Sequence, residues 1–291
     1  MQRRTFLGAM AAPLLVARPS IFPWLGAQTA PPVPRKGRLK QGVTMGVFAR
    51  GTSLEDACRE AARLGIKGFD LRGPADWPTL KKYGLVSSMY QPAAGASIAN
   101  GLNRKENHAR IDPAMRAAID EAATGGVPNI ITFSGNRAGM ADAEGADNCV
   151  AFLNNIKGYA ETKGVTICME LLNSRVNHKD YMFDHMAWGV DVIKRVNSSR
   201  VKILYDIYHA QIMDGDIVRS IKDNIQWIGH FHTGGNPGRH DIDESQELNY
   251  RFIAQSIVDL GFTGFLSHEY SPTAGNDPIA VLDKAIGICD V

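Results

Sequence analysis

Short β-rich runs alternate with longer helical patterns along the chain from about residue 42 onward. Apolar residues spaced three and four apart predict helices over 54–65, 114–126, 148–164 and 250–261. Several of these segments end in glycine, a common helix terminator, and a strand follows within a few residues. Regular alternation of this kind requires parallel strands joined by helical crossovers.

The number of strands narrows the fold further. The predicted strands are 42–49, 68–73, 85–91, 129–135, 165–172, 201–208, 227–233 and 264–270. Eight strand-helix units in roughly 250 residues are typical of an α/β protein of the (β/α)8 TIM barrel type, here a single catalytic domain over 41–291. A doubly wound open sheet is the alternative, but no G-x-G-x-x-G turn follows the first strand.

The N-terminal segment differs from the rest of the chain. Arg3 and Arg4 precede an apolar stretch that continues to about Val16. This pattern resembles a twin-arginine export signal, predicted over 1–30, and a proline-rich basic linker follows over 31–40. We therefore expect an exported or periplasmic protein with no stable membrane span after the signal. A disordered or membrane-anchored N-terminal helix is the alternative.

The charge balance gives little reason to expect nucleic acid as a partner, and the cysteine spacing lacks the pattern of a zinc ribbon or a redox pair. Lysine and arginine number 32 against 30 acidic residues, and no sustained basic cluster predicts nucleic acid as a partner. The four cysteines lack a C-x-x-C spacing and are predicted to be buried thiols, although a Cys58–Cys289 disulfide stays open. These patterns carry little other information about partners, and the oligomeric state stays open, a homo-oligomer included.

Four consecutive predicted strands carry a carboxylate or an imidazole at their carboxyl ends: Glu170, Asp206, His232 and Glu269. In a barrel of this type, chemistry takes place at that end. Three crowded carboxylates repel one another unless a cation or protons compensate, so a shared divalent metal is predicted. Carboxylates with one imidazole suit Mn²⁺, Mg²⁺, Co²⁺ or Zn²⁺. The alternative is that each residue separately caps a helix or forms a salt bridge.

Five sequence stretches together resemble one protein family. They are MELLN (169–173), DIYHAQIMDGD (206–216), GHFHTGGNPGR (229–239), ELNY (247–250) and GFLSHEY (264–270). These stretches are similar to the hydroxypyruvate isomerase branch of the xylose isomerase-like TIM barrels, whose other branches include ketose 3-epimerases and endonuclease IV. The resemblance is strong from about residue 165 to 272 and weaker before that.

The resemblance implies an isomerase that acts on a small hydroxy-carbonyl compound or a sugar. It makes the same four residues ligands of one divalent metal ion, makes Glu170 and Glu269 the proton-transferring pair, and makes His209 and Arg239 substrate-binding. Isomerisation of this kind moves a proton between neighbouring carbons through an enediolate, which a Lewis acid and two carboxylates can support.

Other family activities remain as alternatives. His232 stands where hydroxypyruvate isomerases tend to carry glutamine and ketose epimerases carry histidine, which leaves an exported sugar epimerase or a keto-sugar lyase or isomerase open. A phosphodiesterase of the endonuclease IV kind is disfavoured, because it needs two or three metals and the first four predicted strands end without histidine.

Further polar residues near strand ends allow several interpretations. His230 is predicted to be a hydrogen-bonded histidine deeper in the barrel, and His268 should face the helices. Asp70 and Arg72 either pack at the rim or contact substrate. His178 lies on a loop that could close over the site.

Overall fold

The structure, a computed structural model, describes residues 31–291 and consists of alternating strands and helices. The strands are β1 (Lys40–Val43), β2 (Gly68–Asp70), β3 (Val86–Met89), β4 (Asn129–Thr132), β5 (Thr166–Glu170), β6 (Val201–Asp206), β7 (Ile228–Thr233) and β8 (Phe265–His268). The α-helices are α1 (Leu54–Arg63), α2 (Trp77–Lys82), α3 (Lys105–Gly125), α4 (Asp142–Lys163), α5 (Met186–Val196), α6 (Ile207–Met213), α7 (Ile217–Asn224), α8 (Tyr250–Asp259) and α9 (Pro278–Cys289).

The strands form one parallel sheet in the order β3-β2-β1-β8-β7-β6-β5-β4. Tyr90, which follows β3, closes this sheet on itself. Its backbone N–H donates to the carbonyl of Asn129 and its carbonyl accepts from the N–H of Ile131, both at 2.9 Å. The prediction of a (β/α)8 barrel is therefore confirmed, and the carboxyl ends of all eight strands meet at one rim.

Several element boundaries differ from the sequence prediction. The predicted strand 42–49 corresponds to β1, which begins at Lys40 and ends at Val43. A 3₁₀ turn, Met45–Val47, occupies part of the remaining predicted range. Helix α3 begins nine residues before the predicted 114, and α4 begins six residues before 148. The first turns of both helices are rich in polar residues, so an apolar period could not reveal them.

Predicted helix ends agree better with the structure. Gly126 and Gly164 cap α3 and α4 in the left-handed conformation, with φ of 74° and 71°. Glycine adopts this conformation without the steric cost that a Cβ imposes. At the other end of a helix, the Ser53 side chain accepts from the N–H of Asp56 and so begins α1.

The segment that precedes β1 contacts the barrel. Arg35 donates to the carbonyl of Leu64 at 3.0 Å and pairs with Asp283 of α9. The predicted linker 31–40 is thus tied to α1 and α9 through Arg35, and the predicted export signal lies outside the described residues. All four cysteines are free and buried, so the structure contains no Cys58–Cys289 disulfide. Within residues 31–291, no helix is both long and apolar enough to cross a bilayer.

Candidate active site

The four residues predicted as metal ligands lie together at the carboxyl-terminal rim. Glu170 ends β5, Asp206 ends β6, His232 is the penultimate residue of β7, and Glu269 directly follows β8. One ligand atom from each lies within 4.8 Å of those of the other three. Parallel register explains the grouping, because Asp206 pairs with His232 across β6 and β7. We call these four residues the rim cluster.

His232 lies at the centre of the rim cluster. Its Nδ1 is 2.7 Å from Glu269 Oε2, 3.2 Å from Glu170 Oε1 and 3.9 Å from Asp206 Oδ2. Its Nε2 points the other way and lies 2.9 Å from Asp70 Oδ2. Burial by itself lowers the pKa of this imidazole, but the surrounding carboxylates, Glu269 first, raise that pKa well above its usual value.

The two predicted proton-transferring carboxyls have unlike environments. Burial raises the pKa of Glu170 to about 7, and the nearby charges of Glu269 and Asp206 act in the same direction. Burial also opposes ionisation of Glu269, but His232 and Arg239 outweigh it and lower the pKa of that carboxyl. In this state of the protein, Glu269 thus ionises more readily than Glu170.

The rim cluster fits a divalent metal ion on two grounds. Three carboxyl groups and one imidazole form the mixed oxygen and nitrogen donor set that Mn²⁺, Co²⁺ and Zn²⁺ accept. Ligand atoms about 2.0–2.2 Å from an ion are separated by roughly 3–4 Å, and the mutual limit of 4.8 Å between these atoms brings them near that range. The four side chains therefore fit one divalent ion with no rearrangement of the strands.

His209, on α6, points an unpaired nitrogen towards the rim cluster. Its Nδ1 accepts hydrogen bonds from the backbone N–H and the side-chain amide of Asn173, at 3.2 and 2.6 Å. The proton then belongs on Nε2, which is buried, lacks a partner among residues 31–291 and lies 3.7 Å from Asp206 Oδ2. Burial and the Arg239 charge lower the pKa of His209 well below its usual value, so a neutral N–H donor faces the site.

Arg239 reaches the same carboxylates from the loop after β7. Its Nη2 donates to Asp206 Oδ2 at 2.6 Å and to Glu269 Oε2 at 2.8 Å. Its guanidinium lies over the ring of Tyr208, 5.4 Å from the centroid. The backbone of Arg239 is left-handed, with φ of 59°, a conformation that non-glycine residues rarely adopt outside functional sites and tight turns.

Other contacts hold the β7–α8 loop in place. The hydroxyl of Tyr250, from the ELNY motif, donates to the carbonyl of Gly234 at 2.7 Å and accepts from its N–H at 3.0 Å. Asp241 accepts from the N–H of Thr273 and from the Asn276 amide, at 3.0 and 2.6 Å. The loop is thus fixed by partners other than Arg239, whose cation points into the site.

The remaining residues singled out in the sequence take distinct positions. His230 is fully buried and bonds to Asp70 at 2.7 Å. His268 is buried between Gln41 Oε1 at 2.9 Å and Thr233 Oγ1 at 3.0 Å. Both histidines therefore lie in structural environments, as the sequence predicted.

A cleft of about 380 Å³ is lined by Glu269 and Arg239, and by Leu71 and Arg72. His178 lies on the loop after β5, with its ring 5.2 Å from that of His209. The sequence left the roles of Asp70 and Arg72 open. Arg72 lines the cleft, whereas Asp70 is buried inside the barrel. The cleft has room for a small polar molecule, and Glu269 is the rim-cluster residue that lines it.

Sequence reasoning assigned no role to Asn173 or Tyr208, although both fall within quoted motifs. Asn173 fixes the tautomer of His209, and Tyr208 supports the guanidinium of Arg239. Their positions next to motif residues were the available signal. For Asp70 the sequence signal was weaker, because its hydrogen-bond partner His232 lies 162 positions away along the chain.

A family model described as xylose isomerase-like TIM barrel matches residues 58–287. The chain belongs to the xylose isomerase-like TIM barrel family. The matched region includes the rim cluster, His209 and Arg239.

Two relatives and one solved structure illustrate what this family member is similar to. A 2-oxo-tetronate isomerase from Cupriavidus necator is 35% identical over 103 residues, 34% of this chain and 39% of that protein. A Danio rerio protein provisionally named hydroxypyruvate isomerase is 31% identical over 104 residues, 36% of this chain and 38% of that protein. The chain thus spans about two fifths of the length of these relatives. The structure of 3-keto-D-glucoside 4-epimerase from E. coli superposes with a TM-score of 0.72 at 18% identity, covers 86% of this chain and 98% of that one, and shares its fold.

Proposed function

We propose that this protein is a divalent-metal-dependent isomerase or epimerase that acts on a small hydroxy-carbonyl compound or sugar. The observation that carries the proposal is the rim cluster, in which four ligand atoms from four consecutive strands lie within 4.8 Å of one another. Relatives named as isomerases of 2-oxo-tetronate and hydroxypyruvate support the same class of reaction.

The rim cluster would hold one divalent ion, whose chemical contribution is Lewis-acid stabilisation of negative charge on the substrate oxygens. Glu170 and Glu269 come from the outer strands of the cluster, with β6 and β7 between them. A short carbon chain placed between them presents neighbouring carbons to one carboxyl each. One carboxyl takes a proton from carbon and the other returns a proton to the adjacent atom.

Two further residues recognise the substrate in this proposal. His209 offers a neutral Nε2–H to a hydroxyl or carbonyl oxygen, since both its Nδ1 contacts are donors from Asn173. Arg239 offers a guanidinium that supports negative charge on a second oxygen. Arg72, which pairs with Asp76 at 3.4 Å, also lines the cleft and is a second arginine that could contact a substrate carboxylate.

Replacing Glu170 or Glu269 by Gln tests the proposed proton transfer. Each variant should fold as a barrel and lose turnover by at least about 10³-fold, because an amide cannot move the proton. The measurement is conversion of hydroxypyruvate, 2-oxo-tetronate, ketoses and keto-glycosides in deuterated water, with deuterium uptake at substrate carbon as the readout. Glu121→Gln is the matched control, since Glu121 bonds Tyr90 away from the site.

Three results would contradict the proposal. Full activity in either rim-cluster variant would remove the proton-transfer assignment. Metal analysis of the wild type that finds no bound ion would remove the metal site. Three ions per chain, together with phosphodiester cleavage, would instead indicate a hydrolase.

A further inference from the structure

Asp70 lies inside the barrel, below the rim cluster, and makes a contact across the barrel interior. Its Oδ2 accepts hydrogen bonds from His232 Nε2 at 2.9 Å and from His230 Nε2 at 2.7 Å, and Ser88 Oγ donates to its Oδ1. All four side chains are fully buried. Strands β1 and β8 separate β2 from β7 in the sheet, so this contact joins strands that are not neighbours.

Small residues on the flanking strands make room for this polar group. A Cβ at Gly42 would lie 2.2 Å from Ser267 Oγ, and a Cβ at Gly68 would lie 2.3 Å from Ser88 Oγ. Branched aliphatic side chains usually fill the interior of such barrels. Here, glycine and serine lie near a buried aspartate and two histidines. These small residues leave space in the barrel interior for the hydrogen-bonded group of Asp70, His230 and His232.

The backbone next to Asp70 is irregular. The pairing of β2 with β3 shifts register between Phe69 and Asp70. Leu71 follows with φ of 61°, in the left-handed region that leucine rarely occupies. Irregular backbone of this kind persists where the surrounding structure fixes it, and it is concentrated near functional residues.

We propose that Asp70 is a positioning residue for His232: it holds the proton on Nε2 and so keeps the Nδ1 lone pair directed at the metal ion of the rim cluster. This inference rests on the metal site of the proposed function. The geometry supports it because the two nitrogens of His232 face opposite partners, with Nε2 on Asp70 and Nδ1 among Glu170, Asp206 and Glu269. A carboxylate that accepts from the remote N–H of a ligating histidine fixes its tautomer and orientation.

Asp70, His230 and His232 also have the composition of a second metal site. The nitrogen-oxygen distances of 2.7 and 2.9 Å are ordinary hydrogen-bond lengths. One imidazole N–H and the Asp70 carboxylate account for each of these contacts without an ion, and the stoichiometry of metal binding distinguishes the two arrangements.

The test compares Asp70→Asn with wild type in a titration of the folded, metal-stripped protein with Mn²⁺ and Co²⁺. We expect one ion per wild-type chain and a Kd about 10- to 100-fold higher in the variant. Ser88→Ala is the matched control: it removes another buried hydrogen bond of Asp70 but leaves the bond to His232, so its Kd should stay within about threefold of wild type. An unchanged Kd in Asp70→Asn, or two ions per wild-type chain, would overturn the inference.

A second measurement, made on the wild type, does not depend on whether Asp70→Asn folds. In ¹⁵N-histidine-labelled wild type loaded with Zn²⁺, the His232 resonances, assigned with a His232→Gln sample, should show a proton on Nε2 and a metal-shifted Nδ1. A proton on Nδ1, or an unprotonated Nε2, would overturn the assignment even if Asp70→Asn does not fold.

The outcomes separate this inference from the proposed function. Wild type that binds one ion and isomerises substrate, together with an unaffected Asp70→Asn, leaves the function standing and removes only the role of Asp70. Wild type that binds no Mn²⁺, Co²⁺ or Zn²⁺ removes the metal site and the inference with it.

Discussion

At the scale of single residues, charge balance around the rim cluster depends on Arg239. Its side chain is only 24% exposed and bonds two of the three clustered carboxylates. Because Tyr208 and the left-handed backbone fix its direction, the guanidinium is held over the site and not over solvent. Such a preorganised cation loses little freedom when it binds a substrate oxygen.

Replacing Arg239 by Ala should retain the metal and lower kcat/KM by about 10- to 150-fold. A charge-assisted hydrogen bond contributes about 1.5–3 kcal/mol, and its loss corresponds to a change of that size. Kinetics on the substrate found in the screen, with metal content measured in parallel, check the prediction. Arg219→Ala, which removes an exposed arginine paired with Asp216, is the control. Unchanged kcat/KM in fully metallated Arg239→Ala would make Arg239 a loop residue.

At the scale of elements, the junction of β6 and α6 places two site residues at once. Asp206 ends the strand and is the N-cap of the helix, where its Oδ1 accepts from the N–H of His209 at 3.2 Å. One turn of helix then places His209 beside the same carboxylate. The segment DIYH (206–209) therefore contains the last residue of a strand, the N-cap of a helix and a hydrogen-bond donor that faces the site.

This double use of Asp206 predicts different outcomes for two substitutions. Asn and Ala variants should both bind metal at least about tenfold more weakly, since each lacks the carboxylate. Asn still caps a helix, whereas Ala costs about 1 kcal/mol at such a position. In urea unfolding of the metal-free proteins, Asp206→Ala should be less stable than Asp206→Asn by about that amount. Equal stabilities would show that the cap contributes nothing to α6.

The same junction shows what the sequence could predict. Strand-helix alternation and polar residues at four strand ends predicted the barrel and the members of the rim cluster, because parallel register brings strand ends together. The apolar run 201–208 was predicted as one strand, although Ile207 and Tyr208 already belong to α6. A buried strand and the buried start of a helix look alike in an apolar run, so periodicity could not separate them.

At the scale of the whole molecule, the deepest contacts of the site join distant parts of the chain. Asp70 meets His230 and His232 only because the barrel closes, over sequence separations of 160 and 162 residues. No local sequence pattern reveals such a contact, so the sequence predicted the members of the rim cluster better than the residues that hydrogen-bond to them. The first strand of this sheet begins at Lys40, and the predicted export signal lies outside the described residues.

The predicted export of this chain rests on the N-terminal pair Arg3 and Arg4. The twin-arginine route carries folded chains, which suits a barrel whose proposed metal site forms only when strands β5 to β8 come together. Changing both arginines to Lys keeps the charge but removes the pair that the pathway reads, so the protein should accumulate in the cytoplasm. Fractionation of cells that express each form measures this, with Arg38→Lys and Arg50→Lys, two exposed arginines of the described chain, as the control. Normal export of the Arg3 and Arg4 variant would indicate an ordinary signal or an anchor in place of a twin-arginine signal.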